Sequence, residues 1–235
     1  MKLVLSLFLF LTSFMSISQP AIKGAWKAQT ATNGNSTLII SDNYLTIASF
    51  SIRDKFFEHT EGGPFTIQGN KLSYTSEYNS SDTSKVGRTV VFTISRKGSL
   101  LTMDGEKPQV WTLVDDATNV PMAGTWHITE RAQDGTGPLV KIHQTGTRKT
   151  LKILSGTKFQ WIAIDPAVKG FYGTGGGSYT IKDGVYTEKI EFFSRDNHRV
   201  GASLSFGWKL TDGKWDHSGK SSKGDPIHET WEKKK

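Results

Sequence analysis

Residues 178–192, SYTIKDGVYTEKIEF, give the clearest indication of the fold of this chain. Two runs that alternate apolar and polar residues flank Asp183-Gly184, and an Asp-Gly pair in that setting is the strongest short-range signal for a β-hairpin. The same pattern recurs in residues 204–218, LSFGWKLTDGKWDHS, around Asp212-Gly213. Such runs follow one another about every ten residues without a helical period between them, which predicts an all-β barrel or sandwich.

The pattern of the chain occurs twice. Gly24-Ala25-Trp26 returns as Gly124-Thr125-Trp126, and GPFTI at 63–67 matches GSYTI at 177–181. Matches in one order with slowly growing shifts predict a tandem repeat. The two predicted domains, residues 19–118 and 119–235, are of ordinary domain size.

A tryptophan on the first strand of each repeat and another on its last favour a barrel, because those two strands are neighbours in a closed barrel. The pairs are Trp26 with Trp111 and Trp126 with Trp231. The predicted fold class is therefore all-β, with two tandem small antiparallel β-barrels that resemble one another. Since each repeat carries both tryptophans, we expect each to fold as its own barrel.

The N-terminal residues 1–18 predict a secretory signal peptide. Lys2 forms a short positive region, residues 3–14 are mostly apolar, and Ser16 and Ser18 suit the small-residue positions of a cleavage site. The apolar run is too short for a transmembrane helix, which needs about 20 residues. We expect cleavage after Ser18, no membrane span, and a secreted or periplasmic protein.

Composition excludes several classes of protein. The 235 residues include no cysteine, so disulfides, thiolate nucleophiles and cysteine-ligated metals are excluded. Lys and Arg exceed Asp and Glu by 29 to 22, but the excess is spread along the chain without a nucleic-acid-binding motif. The expected partner is a small-molecule ligand of unknown identity, and no nucleic acid.

Polar and aromatic motifs of the second repeat carry a family resemblance. They are Gly-Thr-Trp at 124–126, Phe-x-Trp at 159–161, Gly-Gly-Gly-x-Tyr-Thr at 175–180, Asp-Gly-x-Tyr-Thr-Glu-x-Ile-Glu at 183–191, Trp-x-His-Ser-Gly at 215–219 and Glu-x-Trp at 229–231. This set resembles the bacterial lipocalin-like (calycin) domains of unknown function and covers nearly all of repeat two. Repeat one keeps the frame but departs from most of the polar motifs. The resemblance implies a small exported β-barrel with a cavity, and it implies no particular reaction.

The two repeats serve as an internal control for site residues, because residues that they share are expected to support the common frame. Four positions gain an aromatic or ionisable group in repeat two: Trp161 aligns with Ile47, Glu188 with Tyr74, His217 with Met103 and Glu229 with Gln109. Strand alternation puts Tyr186 on the face of Glu188, and Trp215 on the face of His217. We expect these groups to converge on one cavity with Trp161 and Trp215 on its wall. The predicted ligand-binding residues are Trp161, Tyr186, Glu188, Trp215, His217 and Glu229.

Three functions fit these residues. The favoured one is a non-enzymatic binding protein that holds a small apolar or amphipathic ligand in the barrel of the second domain. The second is a barrel enzyme of isomerase, cyclase or hydrolase type that uses Glu188 or Glu229 with His217 for proton transfer. The third is a structural interaction protein with filled barrels.

No catalytic residue, metal ligand or cofactor is assigned from the sequence. The glycine-rich stretch GTGGG at residues 173–177 is not followed by the Lys-Ser/Thr pair and the helix of a phosphate-binding loop. It predicts a strand connection or a β-bulge.

Overall fold

The structure is a computed structural model that describes residues 21–30 and 34–234. The predicted signal peptide, residues 1–18, lies outside the described residues. The predicted fold class is confirmed, because the described chain is all-β and forms two closed eight-stranded antiparallel barrels. Its helical segments are three 3-10 turns, Thr83–Lys85, Pro166–Val168 and Asn197–Arg199. Within the described ranges, no helix has the length and apolarity to cross a membrane.

The first barrel spans residues 24–115. Its strands are β1 (Gly24–Gln29), β2 (Asn35–Ile40), β3 (Tyr44–Ser51), β4 (Phe56–Gln68), β5 (Lys71–Thr75), β6 (Tyr78–Asn79), β7 (Thr89–Lys97), β8 (Leu100–Asp104) and β9 (Gln109–Asp115). The ring runs β1-β2-β3-β4-β5-β7-β8-β9, and pairing of β9 with β1 closes it. The short strand β6 adds to β4 outside the ring.

The second barrel spans residues 124–233. Its strands are β10 (Gly124–Ala132), β11 (Leu139–Lys141), β12 (Lys149–Leu154), β13 (Lys158–Asp165), β14 (Gly170–Lys182), β15 (Val185–Phe193), β16 (Ser203–Thr211), β17 (Lys214–Lys220) and β18 (Pro226–Lys233). The ring runs β10-β12-β13-β14-β15-β16-β17-β18 and is closed by β18 on β10, whereas β11 pairs with β10 outside the ring. The two barrels therefore have the same up-and-down order.

The Asp-Gly pairs form the predicted hairpin turns. Asp183 and Gly184, between β14 and β15, have φ of 51° and 74°. Asp212 and Gly213, between β16 and β17, have φ of 51° and 76°. Positive φ at both central residues is the signature of a type I′ turn, whose twist matches that of the strands it joins. The turns thus fix the register of both hairpins.

A buried tryptophan marks the start of each barrel. Trp26 Nε1 donates a hydrogen bond to the carbonyl oxygen of Ile22 at 2.9 Å, and Trp126 Nε1 donates one to that of Met122 at 2.9 Å. Because the indole N–H is satisfied, each ring can be buried without an unpaired donor. In the second barrel Trp126 packs edge-on against Trp215, with ring centroids 5.7 Å apart.

The outer faces of the two barrels pack against each other. An apolar cluster contains residues of both: Ile39, Tyr44, Tyr78, Leu151, Ile153, Ile162 and Ile164. Within this contact, Gln160 Nε2 donates to Thr60 Oγ1 at 2.8 Å, and Gln160 Oε1 accepts from Thr46 Oγ1 at 2.7 Å. Asp115 at the end of β9 accepts a hydrogen bond from the Gly156 N–H at 2.7 Å. Faces that a lone barrel would expose are therefore buried between the barrels.

Candidate functional site

The second barrel contains a cavity of about 500 Å³. Its walls are mainly apolar and include Ile128, Trp161, Ile190, Leu204, Phe206, Ile227 and Trp231. Four ionisable side chains lie in the barrel interior: Lys152, Glu188, His217 and Glu229. A second polar group contains the exposed side chains Arg131, His143, Arg148 and Arg195. These exposed residues mark the mouth, so the cavity opens at the barrel end where β10 ends and β12 begins.

Lys152 on β12 is the centre of the interior group. Its Nζ lies 2.9 Å from Glu188 Oε1 and 3.2 Å from His217 Nε2, and the side chains of Lys152 and Glu188 are only 6% and 5% exposed. An ammonium group can only donate, so His217 Nε2 accepts and the ring proton resides on Nδ1. The contact thus fixes the neutral tautomer of His217 and leaves the Nε2 lone pair occupied.

The other edge of His217 faces Glu229. Nδ1 of His217 has no hydrogen-bond partner among the described residues, since Glu229 Oε2 is 3.6 Å away. Glu229 is instead held by Trp231 Nε1, which donates to Oε2 at 3.1 Å, and by Arg131 Nη2, 3.4 Å from Oε1. Nδ1 of His217 therefore faces the Glu229 carboxylate at a distance just beyond that of a hydrogen bond.

The charge states of this group follow from its surroundings. Burial lowers the pKa of His217, and the Lys152 ammonium lowers it further, so the ring is neutral at pH 7. For Glu229, burial acts to raise the pKa, but the interactions with His217, Lys152 and Arg131 outweigh it and the net pKa lies below its usual range. Glu229 is therefore a carboxylate.

Four aromatic rings surround the Lys152 ammonium. Its distances to the ring centroids are 4.9 Å for Trp215, 5.3 Å for Tyr186, 5.3 Å for Trp231 and 5.7 Å for Phe206. Aromatic faces attract a cation, which offsets part of the cost of removing it from water. Phe206 also stacks on the ring of His217 with centroids 4.2 Å apart. The interior cation is thus held by a carboxylate on one side and by aromatic faces around it.

The six residues predicted from the sequence do not all lie in one place. The structure brings Trp161, Glu188, His217 and Glu229 together around the cavity. Tyr186 and Trp215 are fully buried and lie behind it, packed against the Lys152 ammonium. Burial first, and then the Glu188 carboxylate, raise the pKa of Tyr186 well above its usual value, so its phenol remains neutral. The expected position of Trp215 on the cavity wall is therefore not found.

The position of Trp161 depends on a glycine in the neighbouring strand. Trp161 on β13 pairs with Gly175 on β14. A Cβ on Gly175 would lie 2.6 Å from Trp161 Nε1, closer than real atoms approach. The absence of a side chain on Gly175 therefore lets the indole lie along the cavity wall.

Lys152 was missed in the sequence, although the comparison of the repeats contained a signal for it. Across the first two ring strands, Trp26 pairs with Leu38 in one barrel and Trp126 pairs with Lys152 in the other. Leu38 is fully buried in the apolar core of the first barrel. The exchange of a buried leucine for lysine is the same kind of change as Tyr74 to Glu188. Arg131, Arg148 and Arg195 were also missed, although Arg195 aligns with Ser81 of repeat one and this gain of a cation was a signal for it.

Metal binding has no geometric support in the part of the chain that the structure describes. No group of three or more His, Asp or Glu side chains there is arranged to hold a metal ion. The interior group instead pairs its two carboxylates with cations, Glu188 with Lys152 and Glu229 with Arg131.

Comparison with known proteins adds no family assignment. No family model matches the chain. No curated protein matches it either. The resemblance to lipocalin-like domains therefore stays a prediction from the sequence motifs.

Proposed function

We propose that this chain is an exported, non-enzymatic binding protein that holds one small amphipathic molecule in the cavity of its second barrel. The observation that carries the proposal is the cavity itself, about 500 Å³ in volume, with apolar walls and a few convergent polar groups. Sites for small molecules usually have volumes of roughly 300–1,000 Å³ and this type of lining.

A comparison of the two barrel interiors supports the same interpretation. Its equivalent positions hold Leu38, Ile47, Tyr74 and Met103, all buried in one apolar cluster. The same frame can therefore be filled with apolar side chains. Burying an ammonium and two carboxylates in the second barrel has a desolvation cost. A role of these groups in binding a ligand would explain why the barrel contains them.

The geometry favours binding over acid–base catalysis. A general base needs a free lone pair directed at the substrate, but Nε2 of His217 accepts from Lys152 and Nδ1 carries the ring proton. Nδ1 of His217 lies 3.6 Å from the Glu229 carboxylate, so the ring presents no free lone pair to a bound molecule.

The test uses N-phenyl-1-naphthylamine, a neutral apolar dye whose fluorescence rises on transfer from water to an apolar site. The full chain is expected to bind one dye molecule saturably. A variant with the residues of the first barrel, Lys152→Leu, Glu188→Tyr, His217→Met and Glu229→Gln, is expected to bind at least about tenfold more weakly, a loss of roughly 1.4 kcal/mol. The ring introduced by Glu188→Tyr narrows the cavity, and the variant leaves no buried charge unpaired.

A matched variant in the first barrel, Tyr74→Phe with Met103→Leu, is the control and should bind the dye as the wild type does. Far-UV circular dichroism and a cooperative unfolding transition check that the cavity variant is folded. Failure of the wild type to bind the dye, or equal binding by the folded cavity variant, would contradict the proposal.

A further inference from the structure

The lining of the cavity carries more positive than negative charge. Four cationic side chains, Arg131, Arg148, Lys152 and Arg195, face two carboxylates, Glu188 and Glu229. The lining therefore has a net charge of about +2, and an excess of one sign of charge attracts ligands of the opposite sign.

The excess charge belongs to two particular arginines. Both carboxylates already have a cation nearby, since Glu188 lies 2.9 Å from Lys152 and Glu229 lies 3.4 Å from Arg131. Among residues 21–30 and 34–234, no carboxylate forms an ion pair with Arg148 or Arg195 at a distance of 4.0 Å or less. These two guanidinium groups are therefore the ones available to an anion.

The strand order places both arginines at the mouth. Arg148 directly precedes β12, and Arg195 follows the end of β15 by two residues. In an antiparallel ring the start of β12 and the end of β15 lie at the same end of the barrel. Both side chains are exposed and both line the cavity. They consequently meet a ligand where it enters, above the apolar walls.

Neighbouring groups orient both guanidinium groups. The Arg148 guanidinium carbon lies 4.4 Å from the centroid of the Tyr172 ring, in a cation–π contact. Arg195 lies over the backbone of Gly173, where a Cβ would be 2.8 Å from Arg195 Nε. The lack of a side chain on Gly173 gives Arg195 room beside the mouth.

We infer that the ligand is an anionic amphipath whose acidic group binds Arg148 and Arg195 at the mouth while its apolar body lies along the walls of the cavity. This inference rests on the proposed function and specifies the class of molecule. Guanidinium groups pair with carboxylate, sulfonate or phosphate oxygens through parallel hydrogen bonds. A cavity of about 500 Å³ suits one free molecule of drug-like size and not a two-chain membrane lipid.

The test compares two dyes that share one body. 1-Anilinonaphthalene-8-sulfonate has the rings of N-phenyl-1-naphthylamine and adds a sulfonate group. In the variant Arg148→Gln with Arg195→Gln, the affinity for the sulfonate dye is expected to fall about tenfold, because two rim ion pairs are lost. The neutral dye has no acidic group for these arginines, so it should lose much less affinity than the sulfonate dye, and its binding also shows that the variant is folded. Added salt should weaken the sulfonate dye only, since the pairs are exposed to solvent.

The control variant Arg53→Gln with Arg88→Gln removes the same charge from exposed positions on the first barrel and should leave the ratio of the two affinities unchanged. The inference is overturned if the ratio is unchanged in the mouth variant, or if it falls equally in the control. Both of those outcomes require that the neutral dye binds. If the wild type fails to bind the neutral dye, the proposed function fails instead, so the two failures are distinguishable.

Discussion

At the scale of single residues, Lys152 organises the site. It lies in the run Thr150-Leu151-Lys152-Ile153-Leu154, where alternation suggests that the apolar side chains face the core and the lysine faces water. Leu151 and Ile153 in fact pack against the first barrel, and this leaves Lys152 on the interior face. The local pattern could not reveal this inversion, because it depends on a partner surface in the other barrel, formed by Ile39, Tyr44 and Tyr78.

The Lys152–Glu188 pair provides a test of this assignment. Lys152→Leu leaves a carboxylate buried without its cation, and breaking a buried ion pair in this way costs about 3 kcal/mol or more. Adding Glu188→Tyr recreates the Leu38 and Tyr74 combination of the first barrel and is expected to recover most of that loss. Urea unfolding of the two single variants and the double variant measures the coupling.

The control for this cycle is Lys23→Leu. Lys23 and Asp42 are 2.6 Å apart but their side chains are 39% and 62% exposed, so the loss should be less than about 1 kcal/mol. Additive losses in the Lys152 and Glu188 variants would show that the two groups are not a buried pair.

Three other interior residues could be predicted because the second repeat has an ionisable side chain where the first has a neutral one. Glu188, His217 and Glu229 stand where the first barrel has Tyr74, Met103 and Gln109, and all three line the cavity. The same comparison could not distinguish the cavity wall from the layer behind it. Tyr186 and Trp215 share strand faces with Glu188 and His217, yet they lie deeper and contact Lys152.

At the scale of elements, β14 shows how much of the fold the sequence predicts. The glycine-rich residues 173–177 were expected to form a strand connection or a bulge, and they lie inside a continuous strand that has a register shift between Gly176 and Gly177. A Cβ on Gly177 would lie 2.0 Å from the carbonyl oxygen of Lys189 on β15. The bulge thus requires glycine because the two backbones approach closely.

This close approach predicts an unequal effect of two glycine substitutions. Gly177→Ala is expected to lower the free energy of unfolding by about 3 kcal/mol, because the clash is with backbone atoms that cannot move aside. Gly213 also has a positive φ, 76°, but has open space around it, so Gly213→Ala should cost only about 1 kcal/mol. Chemical denaturation of both variants gives the comparison, and equal losses would contradict the assignment of the bulge.

At the scale of the whole molecule, the two barrels share a buried face. Asp-Gly turns and alternation predict strands and closure from local sequence. They contain no signal for contacts between barrels, such as the hydrogen bond between Gln160 and Thr60. The outer faces of β12 and β13 are apolar because they pack against the first barrel. The residue pattern within one repeat could not predict this contact. If each repeat folds alone, as expected from the sequence, the isolated barrel exposes an apolar face to water.

A crystal structure of the full chain grown with saturating N-phenyl-1-naphthylamine would show whether the second barrel alone binds a small molecule, as proposed. We expect one dye molecule inside the second barrel, in contact with Trp161 and Phe206 on the cavity wall, and none inside the first barrel. Dye bound only between the barrels or in the first barrel, or no bound dye at all, would contradict it.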